Sequence, residues 1–201
     1  MVRQTQKKME EKTGLDELIE NLMELGLKPN AHAIKATNIL FGKDKFLSVK
    51  SVIVELSDSI FFLARDTGMS HTFTGIYSSI ELPIEAEYKV HNRNWFDCLL
   101  FPKRQKIGVK YIDDNITVVS SKWTPSKELN IENANLFLEI NKAGKPYKLI
   151  VENNYFTIIE PLKDKKILGI ETNDWLYRKE DLKNLLDIGN KLIHKIKNAS
   201  T

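Results

Sequence analysis

Apolar and polar positions along the chain change period several times, and each change predicts an element. Leu15, Leu18, Ile19, Leu22 and Met23 recur at three- and four-residue spacing, which places them on one face of a helix. Gly26 supplies a stop just past its end, and Pro29 follows. The polar stretch "QTQKKMEEK" extends the same helix at its start. Ala31 to Phe41 reads as a second, short helix, capped by Asn30 and ended by Gly42.

From there the pattern turns β-branched and partly alternating. Phe46–Leu56, Ser59–Arg65, Thr72–Leu82 and Ala86–Val90 read as strands. Lys106–Ile112 and Asn115–Ser121 follow as two more, with Asp113-Asp114 as the tight turn between them. The period then lengthens again. Thr124 and Pro125 suit the start of a helix near 125–143, with Leu129, Ala134, Phe137, Leu138 and Ile140 as its apolar stripe and Gly144 as its end. "YKLIVENNYFTIIEP" predicts a hairpin turning at Asn153-Asn154, because Asn tolerates the positive φ of a two-residue turn. "KKILGIE" is a further strand. The last element is a helix over 178–197, with Leu182, Leu185, Leu186, Leu192, Ile193 and Ile196 on one face.

Strands and helices do not alternate regularly, which disfavours a doubly wound parallel sheet. The order predicts an α+β fold with a largely antiparallel sheet. The expected organisation is a single domain over 1–201: a helical segment over 1–42, mainly strands over 46–171, and the terminal helix.

Composition narrows the function classes only slightly. Thirty basic residues are nearly matched by 27 acidic ones, so the net charge is +3. That is too weak to imply nucleic acid without clustering on one face, and nucleic acid is disfavoured as a partner. The bases of Arg93, Lys103, Arg104, Lys106 and Lys110 lie near Trp95 and Phe101 and form the one local cluster. A single cysteine, Cys98, rules out an intramolecular disulfide; in "WFDCLLF" it reads as a small buried hydrophobe rather than a reactive thiol. No apolar run approaches the ~20 residues of a membrane span, and the first residues lack a signal-peptide core. A cytoplasmic protein is expected, alone or within a larger assembly.

The most enzyme-like run is "LARDTGMSHTFTGIY". Aspartic proteases place their carboxylate in an Asp-Thr-Gly triplet, and two copies share one proton. "KILGIETNDWL" also resembles a segment near the catalytic loop of that family. Yet Arg65 would put a fixed positive charge beside a carboxylate that must titrate. Arg65, Asp66 and His71 are therefore read as a polar loop between two strands, with Asp66 and Gly68 serving the turn. A second constellation joins Asp66 to Glu87 and Lys89. An Asp followed by an acid-x-Lys holds Mg²⁺ in many nucleases. The same spacing arises on a solvated strand face. His32, His91 and His194 show no ligand pairing, and no glycine-rich phosphate loop occurs. No cofactor is expected.

Trp95 and Trp175 each follow an Asn-containing polar pair and precede apolar residues. Such indoles mostly fill cores; an exposed contact surface is the alternative. The stretch from about Ser59 to Ile196, through "TFTGIYSSIELP", "NWFDCLLF", "NITVVSS", "ENANLFLEI" and "KLIVENNYFTIIEP", resembles bacterial domains of unknown function. The resemblance implies no activity and assigns no catalytic residue. Two readings stay open: a non-enzymatic domain that binds another macromolecule or itself, and a metal-dependent nuclease or other hydrolase centred on Asp66 and Glu87.

Overall fold

In the computed structural model, residues 14–37, 46–57, 59–67, 72–101, 104–120, 122–142, 145–153 and 158–200 are described. Eight antiparallel strands form one sheet with helices packed on it, an α+β fold. The strands are β1 (Asn30–Thr37), β2 (Phe46–Ser57), β3 (Ile60–Asp66), β4 (Thr72–Ser79), β5 (Tyr88–Asn92), β6 (Ile116–Ser120), β7 (Lys148–Asn153) and β8 (Lys166–Thr172). Their order across the sheet is β1-β2-β3-β4-β8-β7-β5-β6. The helices are α1 (Gly14–Glu24), α2 (Asp97–Leu100), α3 (Lys110–Asn115), α4 (Ile131–Asn141), α5 (Lys179–Asn184) and α6 (Asn190–Ser200).

Alternation along the strands sorts the sheet into two faces. Ile60, Phe62 and Ala64 of β3 join Val90, Leu149, Val151, Leu168 and Ile170 against the helices, in the main core. Phe61 and Leu63 point the other way, with Tyr77, Ile150 and Ile167. There Ile158, Ile159 and Leu162 from the connection between β7 and β8 form a smaller lid. β3 is therefore buried on both faces at its start, which is why it reads as a continuous apolar run.

α1 ends as its sequence predicts. Gly26 adopts φ 79°, and Leu27 N–H bonds to Leu22 O, which satisfies a terminal carbonyl. Several expectations are corrected. The segment from Asn30 is not a helix but β1, paired residue for residue with β2 from Asn30↔Ile53 to Thr37↔Phe46. Alanine-rich local propensity yields here to the long-range ladder. Residues 38–45, with Gly42, lie outside the described residues.

Lys106–Ile112 is not a strand. Gln105 makes one isolated bridge to Val118, Gly108 takes φ 91°, and α3 begins at Lys110. Asp113 and Asp114 lie in α3 rather than in a turn. Asp113 instead accepts the N–H groups of Ile107 (2.8 Å) and Gly108 (3.1 Å). α4 starts at Ile131, not at Pro125, because Asn130 is the effective cap and accepts from Asn133 N–H at 3.0 Å. The expected end at Gly144 lies outside the described residues.

The expected two-residue turn is not formed from Asn153, Asn154 lies outside the described residues, and Ile158 and Ile159 are not in a strand. Asn153 pairs with Lys166, so β7 meets β8 across a longer connection that carries the lid. The terminal helix runs from α5 through a π turn, Leu185–Gly189, into α6. Leu182, Leu185, Leu192, Ile193 and Ile196 are buried as expected, but Leu186 is half-buried. The wider π turn rotates Leu186 off the stripe, where it lines a small cleft with Leu25, Leu27 and Leu56.

Candidate functional site

The carboxylates of the hydrolase reading do not converge. Asp66 is the last residue of β3 and pairs with Thr72, whose hydroxyl donates to Asp66 Oδ1 at 3.2 Å. Arg65 precedes it within β3. The strands around the loop therefore run to Asp66 and from Thr72, while Gly68 and His71 lie outside the described residues. Glu87 sits just before β5, and its carboxylate accepts from Asn153 Nδ2 at 2.8 Å. Four strand spacings, ~19 Å, separate β3 from β5. Tyr88 is level with Ile60 through Val151, Leu168 and Ser78, so Asp66 lies a further ~20 Å along the strand. No single ion can touch both. Lys89 pairs with Glu152 at 3.3 Å, as expected of charges alternating on a solvated face. Among the described residues no group of three or more His, Cys, Asp or Glu side chains is placed to hold a metal.

The structure does assemble a polar row that sequence reading missed. Thr117, His91, Lys148, Glu171 and Gly75 are successive cross-strand partners on the face away from the helices. Glu171 is buried; one carboxylate oxygen accepts from the Tyr77 hydroxyl at 2.5 Å and the other meets Lys148 Nζ at 2.8 Å. Burial, reinforced by Glu171, pushes the Tyr77 phenol well above its ordinary range, so it serves as a hydrogen-bond donor rather than a base. Within this row Tyr77 and Lys148 meet the buried Glu171 charge, and Thr117 donates to the Asp97 carboxylate. Its signal in the sequence was the spacing Gly75-x-Tyr77 and Gly169-x-Glu171, two residues apart and hence on one strand face.

At the far edge, the excursion between β5 and β6 inverts the usual partition of polar and apolar residues. Asp97 is 2% exposed, while Trp95 (70%), Phe96 (50%), Leu99 (72%) and Leu100 (67%) stand in solvent. The Trp95 and Phe96 rings stack with centroids 3.6 Å apart. Asp97 clamps the base of this ridge. It accepts from Thr117 Oγ1 of β6 at 2.7 Å and from Asn94 N–H at 3.0 Å, and its own N–H bonds to Asn94 Oδ1. Burial works to raise its carboxyl; the bonds from Asn94 and Thr117, with His91 and Arg93 nearby, outweigh it and hold the group below the usual carboxylate range. With Asp97 drawn inward, its apolar neighbours are forced out. Trp175 contrasts with Trp95: it is half-buried and donates to Gly14 O at 3.2 Å. The Cys98 side chain lies outside the described set.

Beside the returning chain, Gln105, Ile107, Val118, Pro125 and Leu129 line a cleft of about 450 Å³. No helix among the described residues is long and apolar enough to cross a membrane. In comparisons with protein families, curated proteins and solved structures, nothing matches this chain.

Proposed function

We propose that the chain is a non-enzymatic binding module whose contact surface is the ridge Trp95–Leu100. The observation that carries this reading is four large apolar side chains exposed within six residues over a rigid, hydrogen-bonded base. Scattered surface hydrophobes are ordinary, but a clustered patch marks a surface that another molecule covers. Each such side chain contributes about 1.5–3 kcal/mol when fully removed from water, and Trp is enriched among the residues that dominate interfaces. The hydrolase alternative loses its support from the separation of Asp66 and Glu87 on the sheet.

A photo-crosslinking residue placed at Leu99 tests the reading in cells. The expected result is a ridge-specific adduct, to protein or to lipid, that is missing when the same probe replaces the exposed Glu160 on the lid. Equal labelling from both positions, or none from either, overturns it.

A further inference from the structure

We propose that the cleft at the start of α4 is a binding site for a small amphipathic carboxylate, with an apolar body laid on Ile107, Val118, Pro125 and Leu129 and its carboxylate held by Lys106. The site is distinct from the ridge. Val118 joins the main core on the helix side of β6, whereas its neighbour Thr117 points to the opposite face, where it donates to Asp97. The two surfaces are therefore tested separately.

The first observation is form. The cleft encloses about 450 Å³, the size of a site for a small molecule. Its walls are held by their own hydrogen bonds. On one side the backbone of Gln105 bridges to Val118, the Gln105 amide donates to Trp123 O at 2.5 Å, and Asp113 accepts the Ile107 N–H at 2.8 Å. On the other, Leu129 N–H bonds to Pro125 O at 2.8 Å, and Asn130 caps α4. Walls fixed in this way leave little to be ordered when a ligand enters.

The second is the lining. Pro125 and Leu129 are buried, but Ile131, the first residue of α4, lines the same cleft while 54% exposed. The apolar surface thus runs from the floor out to solvent, and an apolar body laid along it removes Ile131 from water.

The third is charge. Two charged side chains line the cleft, Lys106 and Glu132. Glu132 is already met by Lys195 Nζ at 2.6 Å. Lys106 is exposed and has no hydrogen-bond or ion-pair partner among the described residues. Thr124 and Ser126, both exposed, line the cleft as well and supply hydroxyl donors. A cationic ligand meets Lys106 and finds the one lining carboxylate taken. A wholly polar ligand leaves the apolar floor without a partner. An anionic head on an apolar body answers both.

Isothermal titration calorimetry with decanoate, decanol and decylamine tests this, because the three share an apolar body and differ in the head. Decanoate is expected to bind at one site, with the largest amide NMR shifts at Ile107, Leu129 and Ile131. Decanol should bind about 10-fold more weakly, and decylamine more weakly still. Lys106→Met keeps the aliphatic stem and removes the charge; it should weaken decanoate about 10- to 100-fold and leave decanol unchanged. Ile131→Ser should weaken both about 10-fold. Both replaced residues are exposed, and unchanged far-UV circular dichroism separates lost binding from lost fold. No saturable decanoate binding below ~1 mM overturns the proposal. So does equal affinity for the three heads, or a Lys106→Met variant that binds decanoate as the wild type does. Amide shifts centred on Trp95–Leu100 overturn it as well, since decanoate then sits on the ridge.

Discussion

The Tyr77 hydroxyl donates to the buried Glu171 carboxylate across β4 and β8, in a space that two glycines leave open. A Cβ at Gly75 would lie 2.8 Å from the Tyr77 oxygen, and one at Gly169 would lie 2.6 Å from the Tyr77 ring. The ring lies over β8 because nothing projects there, and its hydroxyl reaches the carboxylate for the same reason. Lys148 completes the neutralisation from the β7 side.

Gly169→Ala should therefore destabilise the fold by ~1–3 kcal/mol through overpacking against the ring. Tyr77→Phe should cost a similar ~1–3 kcal/mol, because Glu171 keeps Lys148 but loses its donor while buried. Urea denaturation of both variants checks this; a loss below ~0.5 kcal/mol in Tyr77→Phe would show that Lys148 alone suffices.

Asp97 makes the ridge's stability depend on pH. Its folded carboxyl lies below the usual range, so its contribution is full above the unfolded value of ~3.9 and is lost as pH falls through the folded one. The stability gap between wild type and Asp97→Asn should be largest at neutral pH and should shrink as pH drops below ~4. Chemical denaturation of both proteins across that interval measures the gap. A constant gap would mean that Asp97 holds the ridge by shape alone.

The π turn predicts unequal effects for two adjacent leucines. Leu185 is fully buried, and Leu185→Ala should cost ~2–5 kcal/mol. Leu186 is half-buried beside Leu25, Leu27 and Leu56, so Leu186→Ala should cost clearly less. Thermal or urea unfolding that ranks them the other way would contradict the rotation of the helix face.

At the hairpin, Asp66→Asn should change stability by less than ~0.5 kcal/mol, because an amide oxygen still accepts from the Thr72 hydroxyl. Urea denaturation checks this; a loss above ~1 kcal/mol would show that the charge of Asp66, not its acceptor oxygen, holds the strand end.

How much was legible in the chain follows from the range of the forces involved. Elements whose boundaries rest on their own residues were readable: α1 with Gly26 at its end, β3 with its double-sided apolar run, β8, and the terminal helix by its leucine period. These carried the α+β class as well, because period and order limit the ways apolar faces can be covered. The sheet order was not readable, since β4 meets β8 rather than β5, and that choice is made by surfaces far apart in sequence. The same cause turned Asn30–Thr37 into a strand against local propensity and paired β7 with β8 from Asn153↔Lys166 onward rather than across a two-residue turn. The ridge was hidden for a related reason. "WFDCLLF" by composition belongs in a core, and hydrophobicity pulls it inward. Tertiary structure decided otherwise because Thr117, on a strand 20 residues away, and Asn94 bind the Asp97 carboxylate. One buried charge with its hydrogen bonds met sets the orientation of the segment and leaves four apolar neighbours in solvent.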